Sequence, residues 1–141
     1  MDRRATAQWN GDLKSGNGSM AVGSGAWSGP FSFISRFESS KDTNPEELIG
    51  AAHAGCFSMA LANSLAQAGH VATSIKTTAV VSADKTDAGF AITGIALTTR
   101  GVVPGITAEK FKEFAEATKT GCIVSRALAA VPMTLDAQLV S

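Results

Sequence analysis

The most prominent pattern along the chain is a run from Leu48 to Ile75 that contains no Asp, Glu, Lys or Arg. It is apolar but diluted by His53, Ser58, Asn63, Ser64 and Gln67, and much of the rest is Ala and Gly. A membrane helix needs about 20 strongly apolar residues. This mixture predicts instead a long helix enclosed by protein on most of its circumference. Its start is well marked by Thr43-Asn44-Pro45-Glu46-Glu47. Asn44 is a good N-cap, and Pro45 suits the first helical position, where a missing N–H does no harm. Glu47 at the third position gives a capping-box-like arrangement, and both carboxylates complement the helix dipole. Gly69 is a natural end, so the helix is predicted over about residues 45–68.

Before it, Arg4–Trp9, Ser19–Ser24 and Phe31–Phe37 read as strands. Turn signals at Gly11-Asp12 and Gly16-Asn17-Gly18, and a break at Gly29-Pro30, separate them. Hairpin turns would make these an antiparallel meander. After the helix, Val71–Ser82 and Phe90–Arg100 are strand-like and flank a turn at Asp84–Gly89. Thr107 caps a helix over 108–119, with Phe111, Phe114 and Ala115 on one face, and Gly121 ends it. Cys122–Ala130 reads as a short helix and Pro132–Val140 as a last strand. The order βββ-α-ββ-α-α-β favours an α+β fold with antiparallel sheets. No repeat or linker divides the chain, which predicts one domain over residues 1–141.

Composition narrows the function. Twelve basic residues balance twelve acidic ones among 141. That excludes the basic footprint of a nucleic-acid binder and a polybasic membrane patch. Charged residues are 17% against 45% apolar, unusually little wet surface for a small monomer. Two cysteines are too few for a disulfide-dense secreted scaffold. The N-terminal Met-Asp-Arg-Arg is charged with no apolar run behind it, unlike a signal peptide. The expectation is a cytoplasmic protein with reduced thiols.

Cys56 lies mid-helix among small neighbours, far from the helix's positive end, so a thiolate there needs a cation from elsewhere. Arg36 is the candidate. Cys122 follows Gly121 at a helix start, where free N–H groups favour a thiolate. An ordinary thiol is only about 3% ionised at pH 7, so full ionisation raises the reactive fraction by roughly 30-fold, about 2 kcal/mol. A lowered pKa alone therefore makes no efficient enzyme. Arg36 must also orient a substrate and stabilise charge on a leaving oxygen. His53 shares a helix face with Cys56, which leaves a Cys–His nucleophile pair open. His53, His70 and two cysteines 66 positions apart make a poor metal set.

Residues 44–61, Asn-Pro-Glu-Glu-Leu-Ile-Gly-Ala-Ala-His-Ala-Gly-Cys-Phe-Ser-Met-Ala-Leu, resemble the signature of the OsmC/Ohr family, in its OsmC branch. Asp87-Ala88-Gly89-Phe90-Ala91-Ile92-Thr93 and Gly121-Cys122 with Val124-Ser125 look like its later motifs. The likeness runs from Trp9 to the last strand. It implies a thiol-dependent peroxidase that reduces organic hydroperoxides, and hydrogen peroxide less well, among antioxidant enzymes of osmotic and oxidative stress. By resemblance Cys56 is the peroxidatic cysteine, Cys122 the resolving one, Arg36 the activating arginine and Glu46 the glutamate that holds it. The family fold is an intertwined homodimer with two long central helices between two sheets. The family usually has Pro after the second cysteine; Ile123 stands here, which puts the local turn geometry in question.

The implied cycle runs through a Cys56 sulfenic acid and a disulfide with Cys122, then reduction by an external dithiol. Family members can take electrons from a lipoylated partner, and no bound cofactor is needed. Phe37, Phe57 and Met59 are candidate lining residues for an alkyl hydroperoxide. Glu46 and Cys56 are ten residues apart on one helix, about 15 Å along its axis. That spacing predicts that each site uses both chains of a dimer. Two other readings stay open: a non-catalytic dimeric module with buried cysteines, and a Cys–His hydrolase.

Overall fold

Three short strands open the chain, whose computed structural model describes residues 1–141. They are β1 (Ala5–Asn10), β2 (Asn17–Val22) and β3 (Ser28–Phe31), paired antiparallel in the order β1-β2-β3. A three-stranded meander forms as predicted, but its third strand is Ser28–Phe31 rather than Phe31–Phe37. It runs through Gly29-Pro30, which was expected to break the chain. Phe33–Phe37, expected to continue the strand, is instead a helical turn, α1. The alternation of Phe31, Phe33 and Ser35 masked a capping box. Ser32 is extended, its hydroxyl accepts from the Ser35 amide at 3.2 Å, and the Ser35 hydroxyl accepts from the Ser32 amide at 2.9 Å. Phe33 and Phe37 then stand one turn apart, with ring centroids at 4.9 Å. This arrangement belongs to the first of two units, Met1–Leu48; the second is Ile49–Ser141.

The long helix α2 spans Pro45–Gln67, within a residue of expectation. Asn44 caps it, accepting from the Glu47 amide at 2.8 Å. The Glu47 carboxylate closes no capping box; it accepts from the Thr43 hydroxyl, also at 2.8 Å. At the other end Gly69 takes φ +88, and the amides of Gly69 and His70 bond back to Ala66 and Leu65. This paired return is a helix ending that requires a left-handed residue, hence glycine.

In the second unit α2 buries one stripe: Gly50, His53, Phe57, Leu61 and Leu65, at intervals of three and four residues. Ala51, Ala52, Gly55 and Met59 are exposed in the single chain. The expected enclosure on most of the circumference is therefore not supplied within one chain. By length and hydropathy alone the helix could cross a membrane. Its stripe packs on the protein's own core instead, beside Ile95, Leu97, Val103, Phe111, Ala115, Cys122 and Ala137. Each fully buried Leu or Phe side chain contributes about 1.5–3 kcal/mol relative to exposure.

The sheet of this unit is built on a long hairpin, β4 (Ser74–Thr86) and β5 (Gly89–Val102), with a bulge between Ser82 and Ala83. Its turn is tighter than expected, because strand pairing continues to Thr86 and Gly89. β6 (Met133–Leu139) adds to β5 in parallel, so this sheet is mixed rather than wholly antiparallel. A parallel return requires a long crossover. Here it carries α3 (Ala108–Gly121) and α4 (Ile123–Ala127), the latter shorter than the predicted Cys122–Ala130. Phe111 of α3 lies over Gly101 of β5, where any added methyl would collide with the ring. The architecture is α+β, as the order of elements indicated.

Candidate active site

Each cysteine is carried by a different helix. Cys56 sits in the middle of α2 and is half-buried; Cys122 is the N-cap of α4 and is 2% exposed. The Ala108–Gly121 helix ends at Cys122, whose amide still bonds to the Thr118 carbonyl at 2.9 Å. The chain turns there, and α4 begins with the sulfur facing α2. The two sulfurs, 66 positions apart in sequence, lie at 2.9 Å, with both thiols free. Spacing along the chain carried no signal of this meeting; only the family resemblance did.

Their surroundings shift the two thiols in opposite directions. Burial pushes the Cys56 thiol up, and its contact with Cys122 pushes it further. Burial also acts to raise Cys122, but is outweighed. The bond with Cys56, the Ser125 amide and hydroxyl and the Val124 amide bring Cys122 below the ordinary thiol value. No amide makes a capping hydrogen bond to its sulfur, so these N–H groups act mainly as dipoles. In the single chain the anion is thus favoured on Cys122, as its place at a helix start suggested. Nothing in this unit makes Cys56 the better thiolate.

His53 precedes Cys56 by three residues on the buried stripe and is fully buried. Its Nε2 lies 2.7 Å from the Ser125 hydroxyl, not on a cysteine, so no Cys–His nucleophile pair forms. Burial lowers its pKa below 6.5. Ser125 is itself 3% exposed. It stood in the sequence as part of a motif without a role; its three-residue offset from Cys122, matching His53 and Cys56, was the available sign. No group of three or more His, Cys, Asp or Glu side chains is placed to hold a metal ion.

The first unit holds the other two candidates together. Arg36 on α1 donates from Nε at 3.1 Å and from Nη2 at 2.8 Å to the same oxygen, Oε1 of Glu46. Glu46 is the second residue of α2, and its other oxygen, Oε2, is buried with no partner. Asn44 fixes the geometry from both sides. Its Oδ1 caps α2, while its Nδ2 donates to the Ser35 carbonyl of α1 at 3.0 Å. Sequence reading found Asn44 as a cap but not as this tie. Arg36 also borders a cavity of about 380 Å³ lined by Trp9, Phe31, Phe33 and Phe37. Of the expected lining residues, Phe37 is therefore at a cavity. Phe57 is corrected: it is wholly buried in the core. Met59 is 77% exposed.

A profile of OsmC-like proteins matches residues 38–136. Peroxiredoxin OsmC of Escherichia coli (strain K12) is 54% identical over 140 residues, covering 99% of this chain and 97% of that protein. Peroxiredoxin OsmC of Shigella flexneri matches to the same extent. Among solved structures, the organic hydroperoxide resistance protein OhrB of Bacillus subtilis shares the fold. Its TM-score is 0.77 at 22% identity, over 96% of this chain and 98% of that one. An OsmC-like protein from Mycoplasma pneumoniae does so with a TM-score of 0.76 at 18% identity, over 100% and 99% of the two chains. The chain belongs to the OsmC family.

Proposed function

We propose that this protein is a thiol-dependent peroxidase that reduces organic hydroperoxides to alcohol and water. The observation that carries the reading is the 2.9 Å separation of two free sulfurs brought together from distant parts of the chain. Cys56, the less buried of the two, takes the peroxide oxygen and becomes a sulfenic acid. Cys122 then displaces hydroxide to form the disulfide, and an external dithiol restores both thiols by exchange. The names of the relatives, peroxiredoxin and organic hydroperoxide resistance protein, fit this class.

Cys56 needs its charge stabilised from outside its own unit, and Arg36 is assigned that role, with Glu46 holding its guanidinium. Because Arg36 and Glu46 are bonded to each other, they act as one piece. The spacing along α2 argues for their serving the Cys56 of a partner chain in a homodimer. The exposed Ala51, Ala52, Gly55 and Met59 are small or flexible, and suit close packing against a second helix. We read residues 1–141 as one peroxidase domain acting in the cytoplasm, with an alkyl hydroperoxide as substrate.

The test is a thiol titration before and after one equivalent of an organic hydroperoxide without air. Loss of two thiols per chain with an intramolecular crosslink is expected. Cys56→Ser is expected to lose all consumption, and Cys122→Ser to consume one equivalent and stop. Retention of both thiols by the unaltered protein would sink the reading.

A further inference from the structure

Two free thiols in contact are a two-point ligand site as well as a redox pair. Their sulfurs lie 2.9 Å apart, well beyond the about 2.05 Å of a covalent S–S bond. Two separate helices hold them there, Cys56 in the middle of α2 and Cys122 at the N-cap of α4. A second contact ties the same helices together: His53 Nε2 lies 2.7 Å from the Ser125 hydroxyl, with both residues buried. The spacing of the sulfurs is therefore built into packed elements rather than left to loose side chains. A ligand that spans it meets a site that is already assembled.

What can bridge two sulfurs depends on the angle at the bridging atom. At a bond length to sulfur of about 2.3 Å, a linear ion spreads its sulfurs to about 4.6 Å and a tetrahedral zinc ion to about 3.8 Å. A pyramidal atom with bond angles of about 90° needs only about 3.3 Å at the same bond length. That span is the nearest of the three to the observed 2.9 Å. Ligand count points the same way. Structural zinc takes four protein ligands, and no third His, Cys, Asp or Glu joins this pair. Cys122 is 2% exposed, so a cation missing half its ligands would be stranded on the buried sulfur at high cost. A pyramidal atom bonded to two sulfurs is completed by one further substituent, and the product carries no charge.

We infer that the reduced Cys56–Cys122 pair is a binding site for trivalent arsenic carrying one organic group, with both sulfurs bonded to a single arsenic atom. The inference goes beyond the peroxidase reading, since it needs only the thiols where they lie. The step is balanced. Two S–H bonds are replaced by two S–As bonds, the oxygen on arsenic leaves with the two thiol protons as water, and no atom is oxidised or reduced. Cys56, the less buried sulfur, bonds first, and Cys122 closes the ring. A loaded site has no thiol left for a peroxide.

Phenylarsine oxide added to the reduced protein is the probe. One equivalent per chain is expected to remove both thiols from titration, and the mass of the intact chain should show one phenylarsenic group added. Affinity, measured by competition with a small dithiol, is expected to fall by about 10²–10⁴ in Cys56→Ser and in Cys122→Ser, the gain from a second, intramolecular bond. Zinc ion at the same concentration is expected to leave both thiols titratable. Loss of one thiol only, or single-cysteine variants that bind as tightly as the unaltered protein, would overturn the inference. So would equal protection of both thiols by zinc. A protein that takes up the arsenical on both sulfurs but consumes no hydroperoxide ends the peroxidase reading alone; one that cycles normally and binds the arsenical through a single sulfur ends this inference alone.

Discussion

The sulfur pair and the Arg36–Glu46 pair solve opposite problems. The sulfurs sit among uncharged groups, with His53 and Ser125 as dry polar neighbours, and their charge is set by burial and hydrogen bonds. The guanidinium is 42% exposed, its charge is fixed, and a carboxylate and an asparagine bridge determine only where it points. One region supplies redox chemistry with an undecided charge; the other supplies a permanent charge with no redox chemistry. The proposed peroxidase chemistry needs both. Within its own unit the surroundings of the sulfur pair favour the anion on Cys122 rather than on Cys56, and the proposed role of Arg36 is to reverse that preference.

The largest expected effect comes from removing the cation. Arg36→Ala is expected to cut hydroperoxide reduction by about 10²–10³, as for loss of one donor to a developing anion. Closure of a preformed Cys56 sulfenic acid should proceed at its usual rate. Stopped-flow consumption separates the two, and equal loss in both would break the division of labour. Glu46→Gln keeps the shape but not the charge, and its effect should be smaller, about tenfold. It should be stronger on the rate at saturating alkyl hydroperoxide than on apparent affinity; steady-state kinetics decides.

The smallest effect is on stability and belongs to the sulfur region. Burial holds His53 below its unfolded pKa of 6.5, so the unfolded state binds more protons as the pH falls. Its contribution is complete above about pH 6.5 and declines as the pH falls from there toward the depressed folded value. Urea unfolding between about pH 7.5 and 5 should show this slope, and His53→Gln should flatten it. An identical slope in the variant would show that the acid sensitivity lies elsewhere.

Much of this was legible in the chain. Asn44-Pro45-Glu46-Glu47 and Gly69 bound α2 closely because caps are local chemistry. Phe31–Phe37 misled because a five-residue helix is too short to display its period, whereas three alternating side chains suffice to imitate a strand. The parallel placement of β6 was invisible, since pairing direction depends on how α3 and α4 carry the chain back. At the site, the pattern around Cys56 and Arg36 supplied the chemistry through its resemblance. The His53–Ser125 contact was not readable: two offsets of three mark helix faces but do not say which faces meet.

The separation of the sulfurs along the chain has a mechanical consequence. A covalent link across 66 positions would deny the unfolded chain a wide range of shapes, about 4 kcal/mol by loop entropy. Since the native sulfurs already touch, little strain offsets that gain. Melting temperature would then serve as a gauge of electron supply: each molecule is toughest just after it has spent its thiols, and softens again when its reductant arrives.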